Sequence, residues 1–532
     1  MAKESGKKEV IVAQELAKGQ REISISEFFT KNRHLLGFDN PTRALLMTVK
    51  EAVDNSLDAC NEAKIIPEIL VDIKKINEDR FKVIVEDNGP GIVREQIPRI
   101  FAKLLYGSKF HRLRQSRGQQ GIGISASVLY SQLTTGKHSV IISKIHPKKP
   151  AHYYELKIDT AKNEPLIVKD EIREWNKDHG TKIEIELEAK YQKGKQSVDE
   201  FIKQVAIVNP QAKINYITPE NEKMDFPRVT NELPIEAKEI MPHPYGIELG
   251  TLIKMLAETS SRTLQGLLTT EFCRIGPGTA KEMCDKAGLK PDMKPKVINH
   301  EQAEKLFKAM QEVKVISPPT DCLSPIGEQL LEKGLKKEIP ADFYITSSRS
   351  PVVYRGFPFL IEVGIAYGGE LDKEGQVKLM RFANRVPLLY QQGACAITEA
   401  VTDTNWKAYG LNQSGTNMPT GPAIVVVHMA SVWVPFTSEA KDALAHYDEI
   451  IKEIKLALQE CGRKLNIYIN KHVKAQEYQE RINLFEKYIP EVAGSIAKLS
   501  NEKKTVIEEK LNKILKRERS SLENNGENGK GQ

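Results

Sequence analysis

The sequence predicts an α+β chain of several domains, on three observations. Strand-like alternation sits beside helical periodicity: Ile183, Ile185 and Leu187 alternate with Lys182, Glu184 and Glu186, whereas residues 41–62 carry helical spacing. The 532 residues are ample for three or four domains at roughly 100–200 residues each. Proline clusters at Met241–Tyr245, Pro291–Pro295, Ser317–Pro319 and Ser324–Pro325 punctuate the chain.

Residues 1–228 read as one α+β unit. Its helix at 41–62 is followed by a strand at Phe81–Glu86, a glycine-rich stretch at 107–123, and strands at Ser139–Ile145, Tyr153–Ile158 and Thr181–Leu187. Residues 229–310 are helical, and 311–475 return to strand-and-helix alternation. From Ser438 onward the pattern reads as helix. Leu444, Ile451, Leu458 and Leu465 recur every seven residues, interleaved with Tyr447, Ile454, Cys461 and Tyr468. Residues 476–532 form a helical segment whose end, Asn524–Gln532, is expected to lack structure.

Composition narrows the class. Apolar residues at 40%, charged at 28% and aromatic at 7% exclude a wholly disordered or fibrous chain. The longest strongly apolar run, Ala423–His428, is strand-sized, far short of the roughly 20 residues of a membrane helix. The first twenty residues hold no apolar signal core, so a cytoplasmic protein with no membrane partner is expected. The net charge of +7 is too mild at this length to establish nucleic-acid binding. Six cysteines without a Cys-x-x-Cys pair suggest neither a zinc ribbon nor a disulfide framework.

Four stretches carry chemistry. In the first helix, capped by Asn40 with Pro41 at its first position, Glu51, Asn55 and Asp58 fall within an arc of ~60°. Leu45, Leu46, Val49, Val53, Leu57 and Cys60 take the opposite side. Such an arc is ordinarily a solvated face, but a carboxylate and an amide one turn apart also suit a water and a hard metal ion. Val85–Ile92 ends a strand in a glycine-permitted turn. Asp87 there is placed to accept from an exocyclic amine, and Gly89 and Gly91 let a ring approach the backbone. Arg117-Gly-Gln-Gln-Gly-Ile-Gly123 runs into a helix, an arrangement that exposes backbone N–H groups to an anion, or makes a plain surface loop. Upstream, Ser108 and Lys109 add a hydroxyl and a lysine. Fourth, His179-Gly-Thr181 opens the alternating strand.

The order of these blocks is specific. Glu51-x-x-x-Asn55, Asp87-x-Gly89-x-Gly91, Gly118-x-x-Gly121-x-Gly123 and Gly180-Thr181 together resemble the Bergerat nucleotide fold of the GHKL ATPases, which spans gyrase, a heat-shock chaperone, sensor kinases and mismatch-repair ATPases. The resemblance implies ATP and Mg2+ as cofactors. Glu51 would polarise the attacking water, Asn55 would hold magnesium, and Asp87 with Thr181 would read adenine beside Gly91. Ser108, Lys109 and the backbone of Gly118, Gln119, Gln120, Gly121, Ile122, Gly123, Ile124 and Ser125 would bind phosphates.

Farther along, Trp406-Lys-Ala-Tyr-Gly410, Tyr354–Pro358, Gly364–Gly369, Phe382–Tyr390 and Pro435–Ser438 resemble the transducer domain of type IIB topoisomerase B subunits. That similarity implies Lys407 as the lysine delivered to the γ-phosphate. It also implies a helix-two-turns-helix insert at Phe272–Ala280 and an N-terminal strap, Met1–Arg21, crossing to a second copy. The implied partners are double-stranded DNA, a second copy on ATP binding, and the topoisomerase VI A subunit, which cleaves DNA through a tyrosine; the assembly would be an A2B2 heterotetramer. No Asp-x-Asp magnesium pair occurs, so this chain alone is not expected to cut DNA. The competing reading is a mismatch-repair-type ATPase acting as a DNA-binding switch, against which the Trp406–Gly410 motif and the helical insert argue.

Overall fold

The computed structural model describes residues 16–17, 19–108, 112–118, 121–438, 440–500 and 502–527. Lys109, Gln119, Gln120 and most of the expected N-terminal strap lie outside the described residues. The chain divides into two compact units, residues 1–404 with 413–461, and residues 405–412 with 462–532.

The first unit opens with helix α1 (Ile25–Lys31) and then α2 (Pro41–Glu62), the predicted helix. The Asn40 side chain caps α2 by accepting from the Arg43 N–H at 2.9 Å, and Pro41 needs no N–H at the first position. An eight-stranded sheet follows, built from β1 (Glu68–Lys75), β2 (Arg80–Asp87), β3 (Ser139–Lys144), β4 (Ala151–Asp159), β5 (Glu164–Arg173), β6 (Gly180–Glu188), β7 (Lys213–Ile217) and β8 (Lys223–Phe226). Their spatial order is β5-β4-β3-β6-β2-β1-β7-β8, and every pairing is antiparallel except the parallel β1–β7. The alternation in β6 does what its pattern predicts. Ile183, Ile185 and Leu187 enter a core shared with α2, with α4 (Gly123–Thr135) and with α5 (Val198–Val208). The short helix α3 (Ile97–Ala102) completes this layer.

Four helices then pack around their own core of Leu252, Leu267, Leu268, Met283, Leu306 and Met310. They are α6 (Leu249–Glu258), α7 (Leu264–Glu271), α8 (Pro277–Ala287) and α9 (His300–Glu312). A full capping box, Asn299 with Gln302, starts the last of them.

The second sheet has six strands: β9 (Phe343–Ser348), β10 (Val352–Tyr354), β11 (Phe357–Tyr367), β12 (Lys378–Ala383), β13 (Val386–Pro387) and β14 (Ala423–Ser431). β14 is buried along its whole length between antiparallel β11 and parallel β12, which accounts for its unbroken apolar run. Helix α10 (Glu328–Glu338) covers this sheet and ties it to the first. Its Leu331 and Leu335 share a core with Met380, Phe382 and Val426, and with Ile207 and Val208 at the end of α5. The backbones meet so closely that a Cβ on Gly334 would come within 2.0 Å of the Ile207 carbonyl oxygen. The two sheets therefore belong to one compact unit.

The expectation of helix from Ser438 is corrected. After the small helix α11 (Ala396–Thr402), the long helix α12 runs Asp448–Ser500, and residues 436–438 and 440–447 fold back as a loop. Phe436 bridges Leu444, the Thr437 N–H donates to the Ala443 carbonyl at 3.0 Å, and Ala445 donates to Pro435 at 2.7 Å. At the apex Lys441 takes a left-handed φ of 57°. Non-local pairing with Pro435–Thr437 overrides a heptad that begins only at Ile451. From there Ile451, Ile454, Leu458 and Cys461 are buried.

The second unit holds the turn Trp406–Tyr409, the rest of α12, and α13 (Lys504–Glu527). Gly462 admits the Tyr409 ring, whose nearest atom lies 2.5 Å from where a Cβ would stand. Ile482, Ile489 and Leu515 join the two helices. Residues 524–527, expected to be unstructured, continue α13 as helix. Among the described residues no helix is long and apolar enough to cross a membrane.

Candidate active site

A cavity of about 630 Å3 opens between α2, the ends of β2 and β6, and the glycine loop leading into α4. Of the residues singled out from sequence, Glu51, Asn55, Asp87, Gly91, Ser108, Gly118, Gly121, Ile122, Gly123, Ile124 and Thr181 all line it. Ser125 does not. Its buried hydroxyl donates to the Ile122 carbonyl at 2.9 Å, which leaves only its backbone N–H for a ligand.

The base of the cavity is set by Asp87. Ser56 donates its hydroxyl to Oδ2 at 2.8 Å, and the N–H groups of Gly89 and Thr181 donate to Oδ1 at 2.9 and 3.1 Å. Burial pushes the Asp87 carboxyl above its ordinary range, and these three donors pull the other way. Oδ1 is filled by its two N–H donors, whereas Oδ2 accepts only from Ser56 and keeps acceptor capacity, so the site offers a fixed acceptor to a ring amine. Gly91, at φ 72°, is obligatory here. A Cβ would stand 2.1 Å from the Lys144 carbonyl oxygen.

The opposite end is an anion cradle. Helix α4 starts at Gly123 with no side chain capping its first turn and no acidic residue in it. Its first backbone donors are thus available to a phosphate at the positive end of the helix dipole. The Glu51 carboxylate occupies the space over Gly123. A Cβ there would come within 1.6 Å of Oε2, so only glycine allows carboxylate and helix start to meet. Asn55 Oδ1 lies 3.9 Å from the Cβ position of Gly118. A carboxylate, an amide and a glycine loop are brought together by one helix face and three glycines.

Two features escaped the sequence. Arg117, at the entry to the glycine loop, is buried on an ion pair with Asp58 at 2.8 Å and donates to Asn209 Oδ1 at 2.6 Å, anchoring the cradle to α2 and α5. The second is Lys441, which lines the same cavity from the folded-back loop and donates Nζ to the Arg117 carbonyl at 3.0 Å. Its neighbours hold it there: Asp442 pairs with Arg43 on α2, and Lys50 Nζ reaches the Ala440 carbonyl at 3.4 Å. Burial lowers the Lys441 pKa, and the Glu51 carboxylate opposes that shift. Asp54, buried on the same helix, is pushed up to about 7 by burial, against the pull of Lys50. Lys407, expected to be the phosphate lysine, lies in the second unit on the turn Trp406–Tyr409; among the described residues the lysine that lines the cavity is Lys441. A clue was present in Pro435–Ser438, three residues upstream, but the stretch reads as helix and gives its lysine no reason to turn inward.

A family model described as "Topoisomerase VI B subunit, transducer" matches residues 318–481, and one described as "Histidine kinase-, DNA gyrase B-, and HSP90-like ATPase" matches residues 40–193. The B subunit of the type 2 DNA topoisomerase 6 of Methanococcoides burtonii is 56% identical over 487 residues, 91% of this chain and 78% of the relative. The chain belongs to the topoisomerase VI B-subunit family. The corresponding B subunits of Methanosarcina barkeri and Archaeoglobus fulgidus are 55% and 48% identical, over 92% and 93% of this chain and 79% and 82% of their own lengths. In this B-subunit family member the ATPase match covers α2, the Asp87 turn and the glycine loop, while Lys441 falls within the transducer match. The cavity thus joins residues of both matched regions.

Proposed function

We propose that the chain binds and hydrolyses ATP in this cavity, as the ATP-using subunit of a type II DNA topoisomerase. The observation that carries the reading is the convergence of Glu51, Asn55, Asp87 and the α4 cradle with a transducer lysine, Lys441, in one cavity. Asp87 accepts from the adenine amine, and the donors of Gly121–Ile124 take the phosphates, with Ser108 beside them. Lys109, Gln119 and Gln120 belong to the same phosphate-binding set by resemblance.

Magnesium fits the donor set. Asn55 lines the cavity with an amide oxygen, and magnesium in such sites takes one or two protein oxygens, with phosphates and waters as the rest. Asn55 would hold the ion, which neutralises charge on the phosphates when bound. Glu51 orients the attacking water and takes up its proton. Lys441 leaves the Arg117 carbonyl for the γ-phosphate, where a point charge stabilises what develops during transfer. Because α10 packs the second sheet against the end of α5, the same contact reports nucleotide state to the transducer.

The domains we propose are residues 1–228 for the ATPase with its strap, 229–310 for the helical insert, 311–475 for the transducer and 476–532 for the C-terminal helical segment. Separate cores in the first sheet, the insert and the second sheet support the first three. On ATP binding a second copy pairs with the first, and the long helix passes the motion to a DNA-cleaving A subunit in an A2B2 assembly. That assembly carries one duplex through a break in another. In the test, the purified chain hydrolyses ATP, duplex DNA together with the A subunit raises the rate, and supercoiled DNA is relaxed only when both subunits and ATP are present. Relaxation without this chain, or without ATP, contradicts the reading.

A further inference from the structure

The segment that enters the phosphate cradle, residues 112–118, is tied at successive residues to later parts of the chain. Leu113 bridges Ile240, and Gln115 exchanges side-chain hydrogen bonds with Ser324, accepting from its N–H at 2.7 Å and donating to its carbonyl at 3.1 Å. The next two carbonyls, Ser116 and Arg117, each accept from a transducer side chain: Asn384 Nδ2 at 3.0 Å and Lys441 Nζ at 3.0 Å. Gly118 follows, and the cavity begins there.

Asn384 is buried, and its amide has a settled orientation. It donates to the Ser116 and Ser431 carbonyls, and its oxygen accepts from the Ser431 N–H at 2.9 Å. It sits with Arg385 in a two-residue turn between β12 and β13 where both residues have positive φ, 48° and 65°. Asn-Gly is the unstrained choice for such a turn. Here an arginine accepts the left-handed backbone, and its Nη2 donates to the Pro325 carbonyl at 2.9 Å. Backbone strain of this kind persists where surrounding contacts over-determine it. The turn therefore joins the cradle entrance, through Asn384 and Ser116, to the Ser324–Pro325 stretch that Gln115 also holds.

We propose that Asn384 is a positioning residue for ATP turnover. It holds the Ser116 carbonyl, and with it the register of the cradle, while Lys441 exchanges the neighbouring Arg117 carbonyl for the nucleotide. This rests on the reading of Lys441 given above. When Lys441 leaves, Asn384 is, among the described residues, the remaining side-chain tether from the transducer to this pair of carbonyls. Without it the first phosphate-binding residues shift against the lysine that must meet them.

Two variants isolate the role. Asn384→Gly keeps the positive φ and deletes the amide; Asn384→Asp keeps an acceptor for the Ser431 N–H but has no donor for Ser116. Both are expected to lower kcat for ATP by about 10- to 100-fold, the scale of a small misplacement, while ADP affinity, which needs no γ-phosphate contact, stays within about twofold. In a Lys441→Ala background Asn384→Gly adds little further loss, as expected of residues acting through one contact. Wild-type kcat in the folded Asn384 variants, with Lys441→Ala still slow, overturns the role of Asn384 and leaves that of Lys441 standing. Wild-type kcat in Lys441→Ala overturns the reading on which the proposal rests. A lowered melting temperature with kcat unchanged makes Asn384 a structural residue only and overturns the proposal.

Discussion

Lys441→Ala binds ATP with nearly the wild-type affinity and hydrolyses it about 100-fold or more slowly. The adenine contacts of Asp87 and the backbone cradle of α4 survive the change, so ground-state binding is largely kept. What is lost is a positive charge delivered to the γ-phosphate as negative charge builds, and single electrostatic contacts of this type are worth about 10²–10³ in kcat. The substitution also removes the tie between Nζ and the Arg117 carbonyl, which is why nucleotide-free stability should be measured beside the rate. Lys407→Ala is the control. Since the charge on the γ-phosphate is proposed to come from Lys441, which lines the cavity, hydrolysis by Lys407→Ala is expected to stay near wild type. Steady-state hydrolysis of both variants, with equilibrium binding of a non-hydrolysable analogue, checks the pair. The reverse pattern, a slow Lys407→Ala and a normal Lys441→Ala, returns the role to the Trp406–Gly410 motif.

Glu51→Ala loses turnover by about 10³-fold, within the range for a positioned general base, and still binds ATP. The carboxylate lies over Gly123 at the start of the cradle, beside the place that the proposed reading gives to the terminal phosphate. Removing it deletes the acceptor for that water's proton and also one negative charge beside the phosphates, so affinity holds or rises slightly. Asn55→Ala behaves differently, losing magnesium-dependent affinity. Single-turnover hydrolysis separates the two; wild-type turnover by Glu51→Ala removes it from the chemistry.

How much of this was legible before the fold was known depends on the range of the interaction that decides it. Helix α2 was legible to the residue, because Asn40 and Pro41 fix its start locally and the apolar and polar arcs fix its orientation. The arc put Glu51 and Asn55 on one face, and the glycine spacing put a phosphate cradle before α4. Lys441 was not legible, because the loop that carries it is decided by the Phe436–Leu444 bridge and by Asp442 reaching Arg43 at the far end of the first unit's sequence. Periodicity sees neither, and the heptad beginning at Ile451 extends by chance to Leu444. Ser56, one residue past Asn55, was hidden for a different reason. Its hydroxyl matters only because β2 brings Asp87 alongside α2. The buried Arg117–Asp58 pair is likewise a product of tertiary approach.

The measurement that bears most directly on the whole account is nucleotide selectivity at Asp87. Its carboxylate, held by Ser56, Gly89 and Thr181, presents acceptors only, which suits the amino group of adenine and repels the carbonyl that guanine carries at the same position. Calorimetric titration of the purified chain in magnesium should show ATP binding and no comparable GTP binding. Asp87→Asn should weaken ATP by about 100-fold, since an amide presents a donor where the ring also donates and leaves a buried polar group mismatched. GTP bound as tightly as ATP, or ATP affinity unchanged in Asp87→Asn, would mean that this cavity is not where the chain takes its nucleotide.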